Sequence, residues 1–271
     1  MANSTSGESV LQRISKILDT FDHSSPVQSA LEISKRTGIS RSTTYRMLHE
    51  LCHEGFLRRI EDGRYSVGLK LWEYGVRANG FEHFGRLARP FLQGIHETLG
   101  FNVSLATLDQ DEGAVVYLER VGARENTQDL TEVAGRLPAV LTATGMVLMA
   151  FSEPRIWERG LREITVEQLA KIGMDRPQLR ALLAKIKSEG YCHLSGVLVP
   201  DSTGTSVPVF GKKRELLGAM TFVAPRQEVD LRTQLPVLVS GARSLGLAAA
   251  VPSPSANPTE WETYSFSALG V

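Results

Sequence analysis

The sequence predicts an α+β protein in two parts: an N-terminal winged helix-turn-helix and a larger C-terminal domain of mixed strands and helices. Three observations carry this. Two short helical patterns are joined within a few residues around Gly38, the layout of a helix-turn-helix. An Asp62-Gly63 turn between two β-prone runs follows directly and reads as the wing. Beyond Phe84, strand-like and helix-like stretches alternate. The 271 residues leave room for about two domains. With 42% apolar and 22% charged residues, the chain can bury a real core.

Residues 1–8 are small and polar and predict a disordered start. Val10, Leu11, Ile14, Ile17, Leu18 and Phe21 then recur at helical spacing, a helix of about three turns that His23-Ser-Ser-Pro26 ends. Ser29 and Glu32 stand at capping-box spacing and open a second helix, with Ala30, Leu31 and Ile33 inward and Gly38 as its C-cap. Ser40 caps a third, with Met47, Leu48 and Leu51 inward, and Gly55 stops it. The hairpin spans Phe56–Val67, and this unit is complete by about Gly68. Leu69–Gly80 predicts a linking helix with Leu71, Trp72 and Val76 apolar.

A further helix runs from Phe84 toward Leu99, and Pro90 either kinks it or marks its true start. Val103–Leu108 and Ala114–Val121 read as strands around the loop Asp109–Gly113. Ala143–Phe151 is helical, and Thr165–Glu189 holds one or two helices. Val207–Phe210 and Leu216–Val223 are strands about the turn Gly211-Lys-Lys-Arg214, and Asp230–Leu247 is a final helix. Pro252–Val271 is rich in Pro and Ser and reads as a loose tail, although Trp261, Tyr264 and Phe266 pull the other way. The expected domains are therefore a start at 1–8, a winged helix-turn-helix at 9–68, a linker helix at 69–83, an α plus β domain at 84–251 and a tail at 252–271.

Several classes are excluded. Cys52 and Cys192 are too few for a disulfide scaffold and form no C-x-x-C pair. The N-terminus has no basic and then apolar segment of a signal peptide. The longest apolar stretches, Met146–Phe151 and Leu245–Val251, are far short of a membrane span. A cytoplasmic protein without membrane partners is expected.

Thirty basic and thirty acidic residues leave no net charge, but their distribution is uneven. The first 80 residues hold 11 basic and 9 acidic side chains, net +2, and the remainder 19 and 21, net −2. Lys35–Arg46 carries Lys35, Arg36, Arg41 and Arg46 with no acid, and Arg58, Arg59 and Arg64 add charge on the wing. Such side chains neutralise phosphates. In projection, Ser42, Tyr45, Arg46 and His49 lie opposite Met47, Leu48 and Leu51 on the third helix. Arg41, Ser42 and Thr43 stand at its N-terminal end, where base edges are read. Arg46 can pair bidentately with guanine, and Tyr45 can meet a thymine methyl or a phosphate. The candidate contacts to double-stranded DNA are Ser29, Ser40, Arg41, Ser42, Thr43, Tyr45, Arg46, Arg58, Arg59 and Arg64.

One enzyme reading competes. His49-Glu-Leu-Cys-His53 matches H-E-x-x-H, two imidazoles on one helix face with a Glu to polarise a zinc-bound water, and Glu73 could serve as third ligand. The context opposes it: the motif lies on the reading helix, Glu73 lies beyond the wing, and no closed cleft is available for hydrolysis. No enzyme activity, metal or cofactor is expected.

At this point the chain resembles the isocitrate lyase regulator (IclR-type) family of bacterial transcriptional regulators, from about Val10 to Leu247. The stretches that carry the resemblance are Thr37-Gly-Ile-Ser-Arg-Ser-Thr-Thr-Tyr-Arg-Met-Leu48, Gly55-Phe-Leu-Arg58, Asp62-Gly-Arg-Tyr-Ser-Val-Gly-Leu69, Leu87-Ala-Arg-Pro-Phe-Leu92, Val115-Val-Tyr-Leu118, Gly135-Arg-Leu-Pro138 and Pro208-Val-Phe210. Their order and spacing together are specific. The resemblance implies a GAF-like C-terminal domain that binds a small effector, and dimers that pair into tetramers on palindromic operators.

It also implies an effector site around Leu137, Leu141, Ala143, Thr144, Gly145, Gly204, Thr221 and Val223. The departures from the family pattern remove polarity. Val140 and Met146 stand where many relatives carry His and Lys, and Cys-His-Leu-Ser-Gly-Val197 replaces an acidic cluster after Tyr191. Gly204 replaces a frequent Cys, and Val223 a small polar residue. A buried carboxylate needs paired donors, so the expected effector is an aromatic or other apolar metabolite. Thr142, Thr144, Thr203, Thr205 and the N–H groups near Gly145 are its remaining polar handles. Neither cysteine has an activating neighbour, and both read as structural.

Overall fold

A computed structural model describes residues 7–78, 80–122 and 130–249. The expected tail at 252–271 and most of the start at 1–8 lie outside these residues. The chain divides into two compact units that meet between Gly80 and Phe81.

The first unit opens with α1 (Val10–Leu18), capped by reciprocal bonds between Ser9 and Gln12. The helix is shorter than its apolar pattern. Thr20 turns its hydroxyl back to the Ile17 carbonyl (2.7 Å), and Asp22 Oδ1 accepts from the N–H groups of Ser24 and Ser25, so the chain is already turning. Ile17 is buried, whereas Val10 and Leu11 are exposed, contrary to the stripe read from spacing.

A two-residue strand, β1 (Val27–Gln28), escapes sequence reading because it is too short for a period. α2 (Ala30–Thr37) has the expected Ser29–Glu32 capping box and ends at Gly38, whose φ of 71° is the left-handed conformation that a side chain resists. Leu31 is exposed, and Ser34 is buried instead, its hydroxyl donating to the Ile39 carbonyl at 2.7 Å. α3 (Arg41–His53) follows with Ser40 as N-cap. β2 (Leu57–Arg59) and β3 (Tyr65–Val67) form the wing, and the small sheet runs β1-β3-β2, all antiparallel. Ile17, Ile33, Leu48, Leu51 and Leu57 fill its core. α4 (Leu69–Ala78) leaves Leu69 and Trp72 exposed, while Tyr74 meets the Phe56 ring edge-on.

The second unit begins with α5 (Gly80–Leu99), which starts earlier than expected and runs through Pro90 without stopping there. Next come β4 (Asn102–Asp109), β5 (Ala114–Val121), β6 (Arg136–Pro138) and a short 3-10 turn at Ala139–Leu141. Helices α6 (Ala143–Phe151), α7 (Pro154–Glu163), α8 (Val166–Ile172) and α9 (Arg176–Glu189) follow. The unit closes with β7 (Cys192–Ser195), β8 (Ser202–Phe210), β9 (Leu216–Pro225) and α10 (Leu231–Ala249). β6 is too short to show a period, whereas α7 has one, Trp157 and Leu161 at i, i+4 beside Ile156, which the sequence reading passed over. α7 buries Leu161 fully and packs the half-buried Trp157 against the same core.

The six strands pair antiparallel in the order β6-β5-β4-β9-β8-β7. Alternation along the strands separates two cores. Leu105, Val207, Met220 and Phe222 face α5 and α10. Ala106, Tyr117, Cys192 and Ala219 face α6 and the helices after it. α6 is buried all round, with eight of its nine residues inaccessible, and so forms the centre of that second layer.

Candidate functional site

On the first unit, α3 presents one polar face. Thr44, Met47, Leu48 and Leu51 are buried, while Arg41, Ser42, Tyr45, Arg46 and His49 are exposed. The turn ahead of it is tied from both sides: the hydroxyls of Ser34 and Thr44 both donate to the Ile39 carbonyl. Ser40 accepts from the Thr43 N–H (3.4 Å), and its hydroxyl donates to Thr43 Oγ1 (2.9 Å). Ser29 is less available than its position suggests, because its N–H and its hydroxyl both donate to Glu32 at 2.7 Å.

The basic run is not uniformly free. Arg36 binds Asp22 at 2.7 Å and Gln28 at 3.1 Å, so an acid remote in sequence neutralises it. Hydrogen bonds from Ser24 and Arg36 hold the Asp22 carboxyl down to about 2. Arg64 pairs with Asp62, and Arg58 donates to the Ser66 hydroxyl (2.8 Å). Among the described residues Lys35, Arg41, Arg46, Arg58 and Arg59 make no ion pair, so most of the unneutralised charge lies on α3 and the wing, with Lys35 on α2.

His49, Glu50 and His53 are all exposed on α3, and Glu73 is held by Arg77 at 2.9 Å on α4. No group of three metal-ligating side chains occurs among the described residues. Cys52 is half-buried and burial raises its thiol, while burial pushes Cys192 up to about 12. Neither is a thiolate near neutral pH.

In the second unit a small cavity of about 70 Å³, open to solvent on one side, lies between the sheet and the start of α6. Leu137, Leu141, Ala143, Thr144, Gly204, Thr221 and Val223 line it. These include seven of the eight residues expected from the resemblance. Gly145 does not. Its N–H is taken by the Thr142 hydroxyl (2.9 Å), and its Cα lies against the Ala139 backbone. Thr203 and Thr205 leave the set of polar handles as well. They alternate with Gly204 on β8, and their hydroxyls meet Ser195 (2.9 Å) and His193 (3.0 Å). Val140 and Met146 are core residues outside the cavity.

The lining also includes Tyr117, Leu130, Thr131, Leu194 and Ser202, which sequence reading did not name, and Gly196–Val199 in the loop leading to Gly204. An apolar run after a glycine, Val197-Leu-Val199, was the available signal. No described residue lining the cavity carries an Asp, Glu, Lys, Arg or His side chain.

Comparison with known proteins places both units. The IclR helix-turn-helix domain matches residues 10–61, and the bacterial transcriptional regulator IclR C-terminal domain matches 82–246. The chain belongs to the IclR family of bacterial transcriptional regulators. This IclR-family regulator is 27% identical to the HTH-type transcriptional regulator XynR of Escherichia coli, over 81% of its own length and 87% of that protein's. It is also 27% identical to the Pca regulon regulatory protein of Pseudomonas putida, over 84% and 80% of the two chains. Among solved structures, an IclR homolog from Microbacterium hydrocarbonoxydans complexed with 4-hydroxybenzoate superposes with a TM-score of 0.78 at 27% identity, covering 89% of this chain and 98% of that one. Membership makes the chain a DNA-binding regulator with a ligand-binding C-terminal domain, and nothing supports the hydrolase reading of His49 and His53. No helix among the described residues is long and apolar enough to cross a membrane.

Proposed function

We propose that the exposed face of α3 reads operator DNA in the cytoplasm, and that the cavity beside α6 takes an aromatic effector of low polarity. The observation that carries the second part is the lining: a pocket without an ionised side chain among its described residues. A charged metabolite would lose its hydration there without a matching counter-charge, whereas an aromatic ring gains from burial against Leu137, Leu141 and Val223. The 4-hydroxybenzoate bound to a relative supports an aromatic ring in the ligand, while its carboxylate is a charge for which the described lining here offers no partner.

In the DNA reading, Arg41 and Arg46 act at base edges and phosphates. Ser40, Ser42, Thr43 and Tyr45 serve the reading helix, Arg58, Arg59 and Arg64 serve the wing, and Ser29 acts chiefly as a helix cap. Two copies on a two-fold operator would match a palindrome, with dimers pairing into tetramers. Residues 9–68 read, 69–83 link and 84–251 sense. An effector shifts operator affinity only through its different affinity for the DNA-bound and free states.

Calorimetry on the full chain tests the ligand class. Aromatics should bind and small dicarboxylates should not; the reverse pattern would refute it. A gel shift on the gene's own promoter region, with Arg46→Ala and Arg41→Ala, tests the reading face. Binding left intact by both substitutions would move it elsewhere.

A further inference from the structure

Thr144, Thr221 and Ser206 form a line of hydroxyls from the cavity wall into the sheet, and each is at most 2% exposed. Thr144 Oγ1 and Thr221 Oγ1 are 2.8 Å apart, Thr221 donates to Ser206 Oγ at 2.8 Å, and Ser206 donates to the Met220 carbonyl at 3.3 Å. A hydroxyl has one hydrogen to give, and a carbonyl has none. Because the Ser206 hydrogen goes to Met220, Ser206 can only accept from Thr221. Thr221 in turn can only accept from Thr144. The end of the line therefore fixes its direction, and Thr144 meets the cavity with lone pairs alone. Thr142 repeats the pattern: its hydrogen goes to the Ala139 carbonyl (3.4 Å), and its oxygen accepts from the Gly145 N–H. The two hydroxyls that the start of α6 offers to the cavity both accept and do not donate.

We infer that Thr144 is a specificity-determining hydrogen-bond acceptor, which selects effectors carrying a neutral O–H or N–H donor over the corresponding ethers. Ser206 lies outside the cavity lining and is the positioning residue that sets this polarity. The inference rests on the aromatic reading of the cavity and adds the group that the ring must carry. An ether oxygen at Thr144 brings lone pair against lone pair in a buried site, a loss of affinity of about tenfold.

The test is calorimetry on the full-length protein with 4-methylphenol and its methyl ether, 4-methylanisole. The wild type should favour the phenol about tenfold. Thr144→Val should bring the phenol down to the level of the ether, and Thr144→Ser should retain the preference. Ser206→Ala frees the line to reverse, so that Thr144 can donate; the ether should recover and the ratio should fall toward one. Equal affinities for the two probes in the wild type would overturn the inference and leave the aromatic reading standing. A Ser206→Ala protein that weakens both probes alike would show a merely structural role and also overturn it. If neither these probes nor any other aromatic binds, the aromatic reading itself falls.

Discussion

Gly145 and Gly204 both belong to the effector segments expected from sequence, and the structure separates them sharply. A methyl group on Gly145 would stand 2.5 Å from the Ala139 carbonyl carbon, and nearer still to its Cα and oxygen. Those atoms cannot swing aside as a side chain can. The Ala139 N–H donates to Gly113 (3.0 Å) and its carbonyl accepts from Thr142 (3.3 Å), while α6 is packed on every side. Ordinary contact lies near 3.5–4.0 Å, so the 3-10 turn or the helix must shift by about 1 Å. Overpacking of this kind costs about 1–3 kcal/mol, and a strained buried hydrogen bond adds about 1. For a unit of this size, each kcal/mol lowers the melting temperature by about 2–4 °C, so Gly145→Ala should melt about 5–15 °C below wild type. At Gly204 the new Cβ would meet Ala143 Cβ at 3.4 Å and Thr221 Cγ2 at 4.0 Å, contacts that need little adjustment. Gly204→Ala should change stability by no more than about 1 kcal/mol, with the loss of unfolded-state freedom in its favour. Differential scanning calorimetry of the two variants beside wild type gives the comparison. A Gly145→Ala protein that melts with wild type, or a Gly204→Ala protein that melts lower still, would refute the reasoning.

Other outcomes follow from the charges and thiols. In operator titrations at several salt concentrations, Arg41→Ala should reduce the salt slope by about 0.9 per reading helix. Arg46→Ala should cost about 1–3 kcal/mol and relax sequence preference. Arg36→Ala should leave the slope nearly unchanged, because Asp22 already neutralises that guanidinium; a drop as large as that for Arg41 would contradict this. The Asp22 carboxyl sits at about 2 instead of 3.8, so the unfolded chain takes up its proton first. The stability it contributes is present above pH 3.8 and is lost as pH falls toward about 2. The melting curves of wild type and Asp22→Asn should therefore converge across that window, and a gap that stays constant would count against the assignment. With its thiol pushed up to about 12, Cys192 should resist iodoacetamide at pH 8 until the protein is denatured, as mass spectrometry of the labelled chain can read.

Local chemistry was legible throughout. The Ser29–Glu32 box, the Ser40 cap, the left-handed Gly38, the Asp62-Gly63 turn and the exposed stripe of α3 all involve residues a few positions apart. Local hydrogen bonds and periodicity decide them, so the sequence displays them directly. The apolar stripes of α1 and α2 were less reliable. Spacing puts Val10, Leu11 and Leu31 on the inner side, but a stripe wider than its partner surface leaves its flanks in water.

The sequence by itself determined the two-part α+β plan, α3 with its exposed charge and the segments that build the cavity. Only the tertiary structure decided what those segments face. Strand pairing joins residues far apart, such as Ser104 opposite Thr221, and nothing local encodes the order β6-β5-β4-β9-β8-β7. That order, with the two-residue alternation of β8, sends Gly204 toward the cavity and Thr203 and Thr205 away from it. It also brings Thr144 to Thr221 across 77 residues, and so creates a directed line of hydroxyls from three residues that look ordinary where they stand in the sequence. The zero net charge resolves in the same way. Arg36 belongs to the acid-free run, but the fold pairs it with Asp22, because a guanidinium finds its partner by distance in space and not along the chain.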